Sequence, residues 1–379
     1  MWLTCSTVGR KFVMAFSGAV LVLFVTFHCC MNSIAICWPA AYNTLCEFLG
    51  ANWYALIASV GLALFILLHI VYACWLTLQN RKARGPVRYA VSKKPKTVEW
   101  SSKNMLVLGI VILGFLVVHL IQFWAKMQLQ EIRGVHDVLP PAAGTLFLQE
   151  AFQTNWTWIV YIAGFIALWL HLNHGIWSMF QSVGWDNTVW IARFKKLALW
   201  WSSIVCLVFI AQAIVFTAKA HEGYFKNDPV LREQYKEMMV PMFDKDFGPD
   251  AAQFGIPTAS ILSYDEFGNI LDAFSQKYSD FPESLDDPRI QIELATLQSP
   301  KDKEQYLSFI NNRIEGVKRL NSMKALYNYL NGVEPETAPA PAPEPPAVPA
   351  AMFEEETIEG FAAPADAEGE ANDQPINND

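Results

Sequence analysis

The stretch ALWLHLNHGIWSMF, residues 167–180, decides how the chain folds. It is apolar enough to sit in hydrocarbon, yet it carries His171 and His174. An imidazole in a bilayer is costly, so such residues are rare and face an interior partner rather than lipid. The surrounding chain repeats the pattern. Uncharged apolar windows cover roughly 12–37, 53–78, 105–125, 156–183 and 197–218. Each reaches the ~20 residues that cross ~30 Å of hydrocarbon at ~1.5 Å per residue. A buried helix of a water-soluble protein is shorter and shows a polar face. The windows therefore predict an all-α membrane protein built on a five-transmembrane-helix bundle.

Composition agrees. Hydrophobic residues make up 53% of the 379 positions and charged residues only 17%, below the ~25% of ordinary soluble domains. The formal charge of −8 gives no support to nucleic-acid binding. Arg10 and Lys11 precede the first window in the manner of a signal peptide. The uncharged run to about Trp38 exceeds the ~7–15 residues of a signal core, so a retained helix is expected. None of the seven cysteines falls in a CxxC pair, which argues against a zinc site or a disulfide framework. Cys37 and Cys46 are able to pair if their connection lies in an oxidising compartment.

The connections set an orientation. Residues 79–104 hold Arg81, Lys82, Arg84, Arg88, Lys93, Lys94, Lys96 and Lys103 against Glu99 alone. Residues 184–196 hold Arg193, Lys195 and Lys196 against Asp186, whereas 38–52 has no Lys or Arg. Basic loops stay cytoplasmic, which puts the N-terminus inside and, after five crossings, the remainder outside. Three parts follow: residues 1–222 as the membrane domain, 223–332 as an extramembrane extension of short helices, and 333–379 as a Pro/Ala spacer with an acidic, disordered end.

Four histidines sit deep in four different windows, namely His28, His69, His119 and His171. His28 lies about 16 residues into an outward span, His69 about 16 into an inward one, His119 about 14 into an outward one and His171 about 15 into an inward one. At ~1.5 Å per residue each passes the midplane in its own direction of travel. His28 and His119 then share an outer level, and His69 and His171 an inner level. Two imidazoles facing one another across a bundle suit a six-coordinate haem iron, whose remaining four ligands are porphyrin nitrogens. The expected cofactors are two haem b groups serving electron transfer, with all four histidines as iron ligands. Gly61 and Gly164 precede their ligands by about two helical turns and are read as room for a macrocycle.

The motifs around these residues carry a resemblance. HCCMN at 28–32 places Asn32 four residues after His28; HIVY at 69–72 places Tyr72 after His69. HLNHGIWS at 171–178 follows His171 with Gly175, Trp177 and Ser178. Over about residues 8–220 the chain resembles the cytochrome b membrane-anchor subunit of bacterial succinate:quinone oxidoreductase and fumarate reductase, in its five-helix, two-haem form. His174 stands where relatives often have Asn, so it is read as a hydrogen-bonding residue near the haem rim and not as a ligand. The long tail departs from the family. The resemblance implies a bacterial cytoplasmic membrane, a flavoprotein subunit and an iron–sulfur subunit on the cytoplasmic face, and menaquinone as substrate. Succinate or fumarate chemistry would then occur on the flavoprotein.

Glu47 is the only charged residue of the 38–52 connection and is expected to exchange protons with the quinone. Asn32, one turn beyond His28, is its expected hydrogen-bonding companion. The spans contain no Asp or Glu, so no carboxylate relay between the two faces is expected. Competing readings are a cytochrome anchor of a hydrogenase or formate dehydrogenase, a His-box membrane hydroxylase suggested by HLNH, and a transporter. The hydroxylases resemble one another in clustered His boxes, which this chain lacks. Transporters usually carry intramembrane carboxylates or broken helices.

Overall fold

The computed structural model describes residues 6–85, 100–133, 139–256 and 259–333. Helix α1 spans Thr7–Cys37, with the Ser6 hydroxyl accepting from the Gly9 amide at 2.8 Å as its N-cap. It stops at Trp38 because Pro39 opens a new helix, α2, Pro39–Ala51. Proline suits a first helical turn, where its missing N–H is not needed. The connection expected at 38–52 is thus itself helical. Helix α3 spans Trp53–Arg84 and ends at Gly85, whose φ of +67° is open to glycine at low cost. Helix α4 spans Trp100–His119 and continues as a π-turn over Leu120–Trp124. Short α5 and α6 follow at Gln128–Arg133 and Gly144–Phe152. Helices α7, Thr157–Ser182, and α8, Thr188–His221, complete the bundle.

Five of these helices, α1, α3, α4 with its π-turn, α7 and α8, are long and apolar enough to cross a membrane. Among the described residues no strand occurs. Helix α7 is central and packs on α1, α4 and α8, while α3 leans mainly on α1. The apolar stretch of α3 has none of its residues buried, and Val60, Leu64, Leu67, Val71 and Leu78 stand exposed along it. An apolar stripe of that extent is stable against lipid and not against water. At one end Arg10 lies over the Trp75 ring and Lys195 over the Trp177 ring. This basic end gathers Arg81, Lys82 and Arg84 in the last turn of α3, where cations also complement the helix dipole.

The other end carries the extension. It comprises α9, Tyr224–Asn227; α10, Pro229–Gln253; α11, Tyr264–Lys277; α12, Pro288–Thr296; and α13, Pro300–Leu330. Two of these are long, at 25 and 31 residues, against the short helices expected. Helix α10 runs through Pro241 and Pro249 because its buried face, with Tyr235, Phe243 and Phe247, is held in an aromatic core. Each such side chain contributes ~1.5–3 kcal/mol on burial. Helix α13 buries Ile314, Val317, Leu320, Met323 and Leu326 at near-helical spacing. One core runs from Cys29 and Ala35 of α1 through Leu146, Phe152 and Phe216 to Phe243, Phe267 and Leu320. The boundary expected at 222 is therefore bridged by shared packing. Arg88, Lys93, Lys94, Lys96, Glu99 and His136 lie outside the described residues, as do the Pro/Ala spacer beyond Val333 and the acidic end.

Candidate functional site

The four intramembrane histidines meet in two pairs. The rings of His28 and His119 stand with centres 5.7 Å apart and planes at 82°. Those of His69 and His171 stand 6.3 Å apart at 64°. Each pair draws on two helices, α1 with α4 and α3 with α7. The first pair lies toward the extension, the second toward the basic end.

The neighbours of each ring decide which nitrogen is bare. Ser17, fully buried on α1, gives its one hydroxyl proton to the Met14 carbonyl at 3.1 Å. With that proton on Met14, the contact with His69 Nδ1, also 3.1 Å, is one that an Nδ1–H donates. His69 carries its proton on Nδ1 and leaves Nε2 bare. Gly18 lets α1 approach closely here, since a β-carbon would stand 3.6 Å from the ring.

For His119 the same logic runs through four side chains. Thr154 donates to the Ala151 carbonyl at 2.8 Å, so Thr157 must donate to Thr154 across their 2.5 Å contact. Thr157 then accepts from Gln122 Nε2 at 3.2 Å, which turns Gln122 Oε1 toward Tyr161. Tyr161 donates to that oxygen at 3.0 Å, and accepts from His119 Nδ1 at 3.2 Å. His119 too presents a bare Nε2. The π-turn after His119 supplies Gln122; such turns recur at functional sites because they re-aim side chains.

On His28 the partner is Asn32. Tyr42 of α2 donates to Asn32 Oδ1 at 3.3 Å, so the Asn32 amide donates to His28 Nε2 at 3.1 Å. That nitrogen is again a lone-pair acceptor. His171 differs: its Nδ1 is buried and meets no hydrogen-bond partner in the structure.

The ring spacings fit two metal-bound imidazoles per level, with His69 and His119 engaged at Nδ1, His28 engaged at Nε2 by Asn32, and His171 Nδ1 without a partner. A metal–imidazole bond is about 2 Å and the ring centre lies about 1 Å further, so two rings on one metal stand about 6 Å apart. Neutral imidazoles with bare Nε2 and an engaged Nδ1–H are the form that ligates. Among the described residues no cluster of three or more His, Cys, Asp or Glu side chains is placed to hold a metal by itself.

Other expected residues fall as follows. His174 packs edge-on against Trp177, 4.8 Å between ring centres, one turn past His171. His221 is exposed beyond the bundle and contacts Asn155. Glu47 is exposed on α2. Cys37 and Cys46 are both free thiols, because Cys46 is turned inward against Gly144 and Tyr42 while Cys37 is exposed on α1. Gly164 does not leave open room: the Phe115 ring fills the space, and a β-carbon there would lie 2.5 Å from it. Gly61 faces open space. Sequence reading missed Ser17, Gln122, Tyr161 and Thr157. Their only signal was polarity inside apolar windows, where every unpartnered group is costly. Set against known protein families, curated proteins and solved structures, the chain matches none.

Proposed function

We propose that the chain is a di-haem b-type cytochrome, the membrane-anchor and electron-transfer subunit of a succinate dehydrogenase or fumarate reductase. The observation that carries this is the meeting of four histidines from four membrane helices as two facing pairs, 5.7 and 6.3 Å apart. Haem b, when bound, supplies one-electron carriage between the two faces. The protein's own work is to hold and orient. His28 and His119 would hold the outer group, His69 and His171 the inner one. Ser17, Tyr161 and Gln122 keep His69 and His119 in the ligating tautomer. Asn32 would yield its hydrogen bond on His28 Nε2 when that nitrogen is taken.

The basic end suits docking of a flavoprotein and an iron–sulfur subunit on the cytoplasmic face, with the N-terminus inside and the extension periplasmic. Quinone chemistry belongs to the outer level. Glu47 is exposed there to exchange protons with a quinone, and Asn32 lies between His28 and Tyr42. Menaquinone is the expected substrate. The test is a pyridine haemochrome assay on the purified chain. Two haem b per chain support the reading; none sinks it.

A further inference from the structure

Each outer histidine is tied by hydrogen bonds to a short helix, His28 to α2 and His119 to α6. The two short helices meet the extension at one buried place. Asn43 of α2, Thr145 of α6 and Tyr235 of α10 are all fully buried. Asn43 Oδ1 accepts from the Thr145 amide at 2.9 Å and from its hydroxyl at 2.8 Å. The Thr145 hydroxyl also lies 2.8 Å from the Tyr235 hydroxyl; with the Thr145 proton on Asn43 Oδ1, the Tyr235 proton faces both Thr145 and the Phe225 carbonyl, which is 2.9 Å away. Asn43 Nδ2 donates to Gln234 Oε1 at 3.0 Å, and Gln234 Nε2 returns to the Ala40 carbonyl at 3.0 Å. This node, and not apolar packing alone, fixes α10 against both short helices.

From the node two paths reach the histidines. Tyr42, adjacent to Asn43, holds Asn32 and through it His28. Thr145 stands on the same short helix as Ala151, whose carbonyl begins the chain through Thr154, Thr157, Gln122 and Tyr161 to His119. Helices α2 and α6 touch at Gly144, where a β-carbon would collide with Cys46 Sγ and the Tyr42 ring. Among the described residues the inner level shows no such tie: His69 is held by Ser17 and Met14 on α1 itself.

We propose that the helical extension positions the outer histidine pair, with Asn43, Thr145 and Tyr235 as the positioning residues that transmit its hold. This rests on the haem reading of the histidines. The extension is then part of the outer redox site and not an appended domain. Burial between α2 and α6 pushes the Cys46 thiol up to about 12, so its reactivity reports whether those two helices stay packed at Gly144. Burial likewise raises the Tyr235 phenol, which stays a donor at any physiological pH.

The test uses the full-length chain with Tyr235→Phe, Thr145→Val and Thr145→Ser. Haem content of the unaltered chain is measured first; absence of haem sinks the functional reading, and the positioning role falls with it. With two haems present, optical and electron-paramagnetic spectra are assigned to the outer and inner groups from His119→Ala and His69→Ala. Alkylation of Cys46 by a maleimide is followed by peptide mass spectrometry, with buried Cys206 as reference. We expect Tyr235→Phe and Thr145→Val to shift the outer spectrum and leave the inner one unchanged. Cys46 should react about tenfold faster, as loss of one buried hydrogen bond implies, and Thr145→Ser should restore both. An unchanged outer spectrum overturns the proposal even if Cys46 reacts faster, because the node would then be a structural clamp only. Equal change at both haems, or loss of fold in both Tyr235→Phe and Thr145→Val, overturns it too.

Discussion

Replacing Tyr161 by Phe removes one oxygen from the middle of the chain that orients His119. The ring stays in its aromatic setting, with Phe115 and Phe152 both 5.1 Å away and Phe165 5.9 Å away, so packing is nearly conserved. Two hydrogen bonds go, one accepted from His119 Nδ1 at 3.2 Å and one donated to Gln122 Oε1 at 3.0 Å. A typical net contribution is about 1 kcal/mol each in water and about 0.6 kcal/mol between membrane helices. The summed loss is therefore about 1–2 kcal/mol, shared between the hold on His119 and the hold on Gln122. A loss of about 1.4 kcal/mol across the chain weakens the hold on the ligating geometry about tenfold. This sits at the lower edge of the ~10–100-fold usual for groups that orient a metal-bound histidine. Stepwise haem titration of the purified apo-chain, followed at the Soret band, should show the outer site weakened about tenfold. The inner site, held by Ser17, should be unchanged. Equal affinity of the outer site in Tyr161→Phe and the parent, or parallel weakening of both sites, would refute the orienting role of the chain.

His69→Ala or His171→Ala should leave one haem per chain and spare the outer one; two haems retained in either variant contradict the pairing. Glu47→Gln should slow quinol turnover with haem content intact, and unchanged turnover removes Glu47 from the proton exchange. Protease added outside intact spheroplasts should cleave the extension, whereas cleavage only after lysis reverses the topology. Hydrogen bonds from Arg289 hold the Asp287 carboxyl at about 2, below its ordinary 3.8. Its support of α12 is thus present above pH ~4 and fades as pH falls toward 2. Asp287→Ala, which removes the cap as well as the charge, should loosen the first turn of α12 to limited proteolysis at pH 7 with no further change on acidification.

The bundle was legible because its determinants are one-dimensional. Five uncharged windows of sufficient length leave the backbone no partner but itself in hydrocarbon, which dictates helices. Depth is equally one-dimensional: a residue count multiplied by the helical rise put His28 level with His119 and His69 level with His171, and their rings meet in those pairs. The helix at Pro39–Ala51 was missed because a charge-poor connection gives no length signal, although Pro39 stands at a first helical turn. Gly164 was misread because a glycine marks close approach without naming the visitor, and here the visitor is Phe115 from the next helix.

What the sequence hides is the polarity of the hydrogen-bond chains. Ser17 acts over three residues, and its partner Met14 is nearly visible in the sequence. The chain on His119 instead crosses from α4 to α7 and on to α6, and its direction is set by a single backbone carbonyl at Ala151. Only tertiary structure brings Gln122, Tyr161, Thr157 and Thr154 into line. The same holds for Asn43, Thr145 and Tyr235, ordinary polar residues separated in sequence by steps of 102 and 90 positions. A buried polar group without a partner costs ~1–3 kcal/mol. Three such groups, fully enclosed, would be a heavy burden on a docking surface that needed only apolar contact. They are tolerated because together they satisfy one another, and they do so only when α2, α6 and α10 adopt a single mutual placement. On the haem reading of the histidines, that uniqueness is what the outer pair would require of its surroundings, since a ligand held loosely leaves a metal's potential undefined.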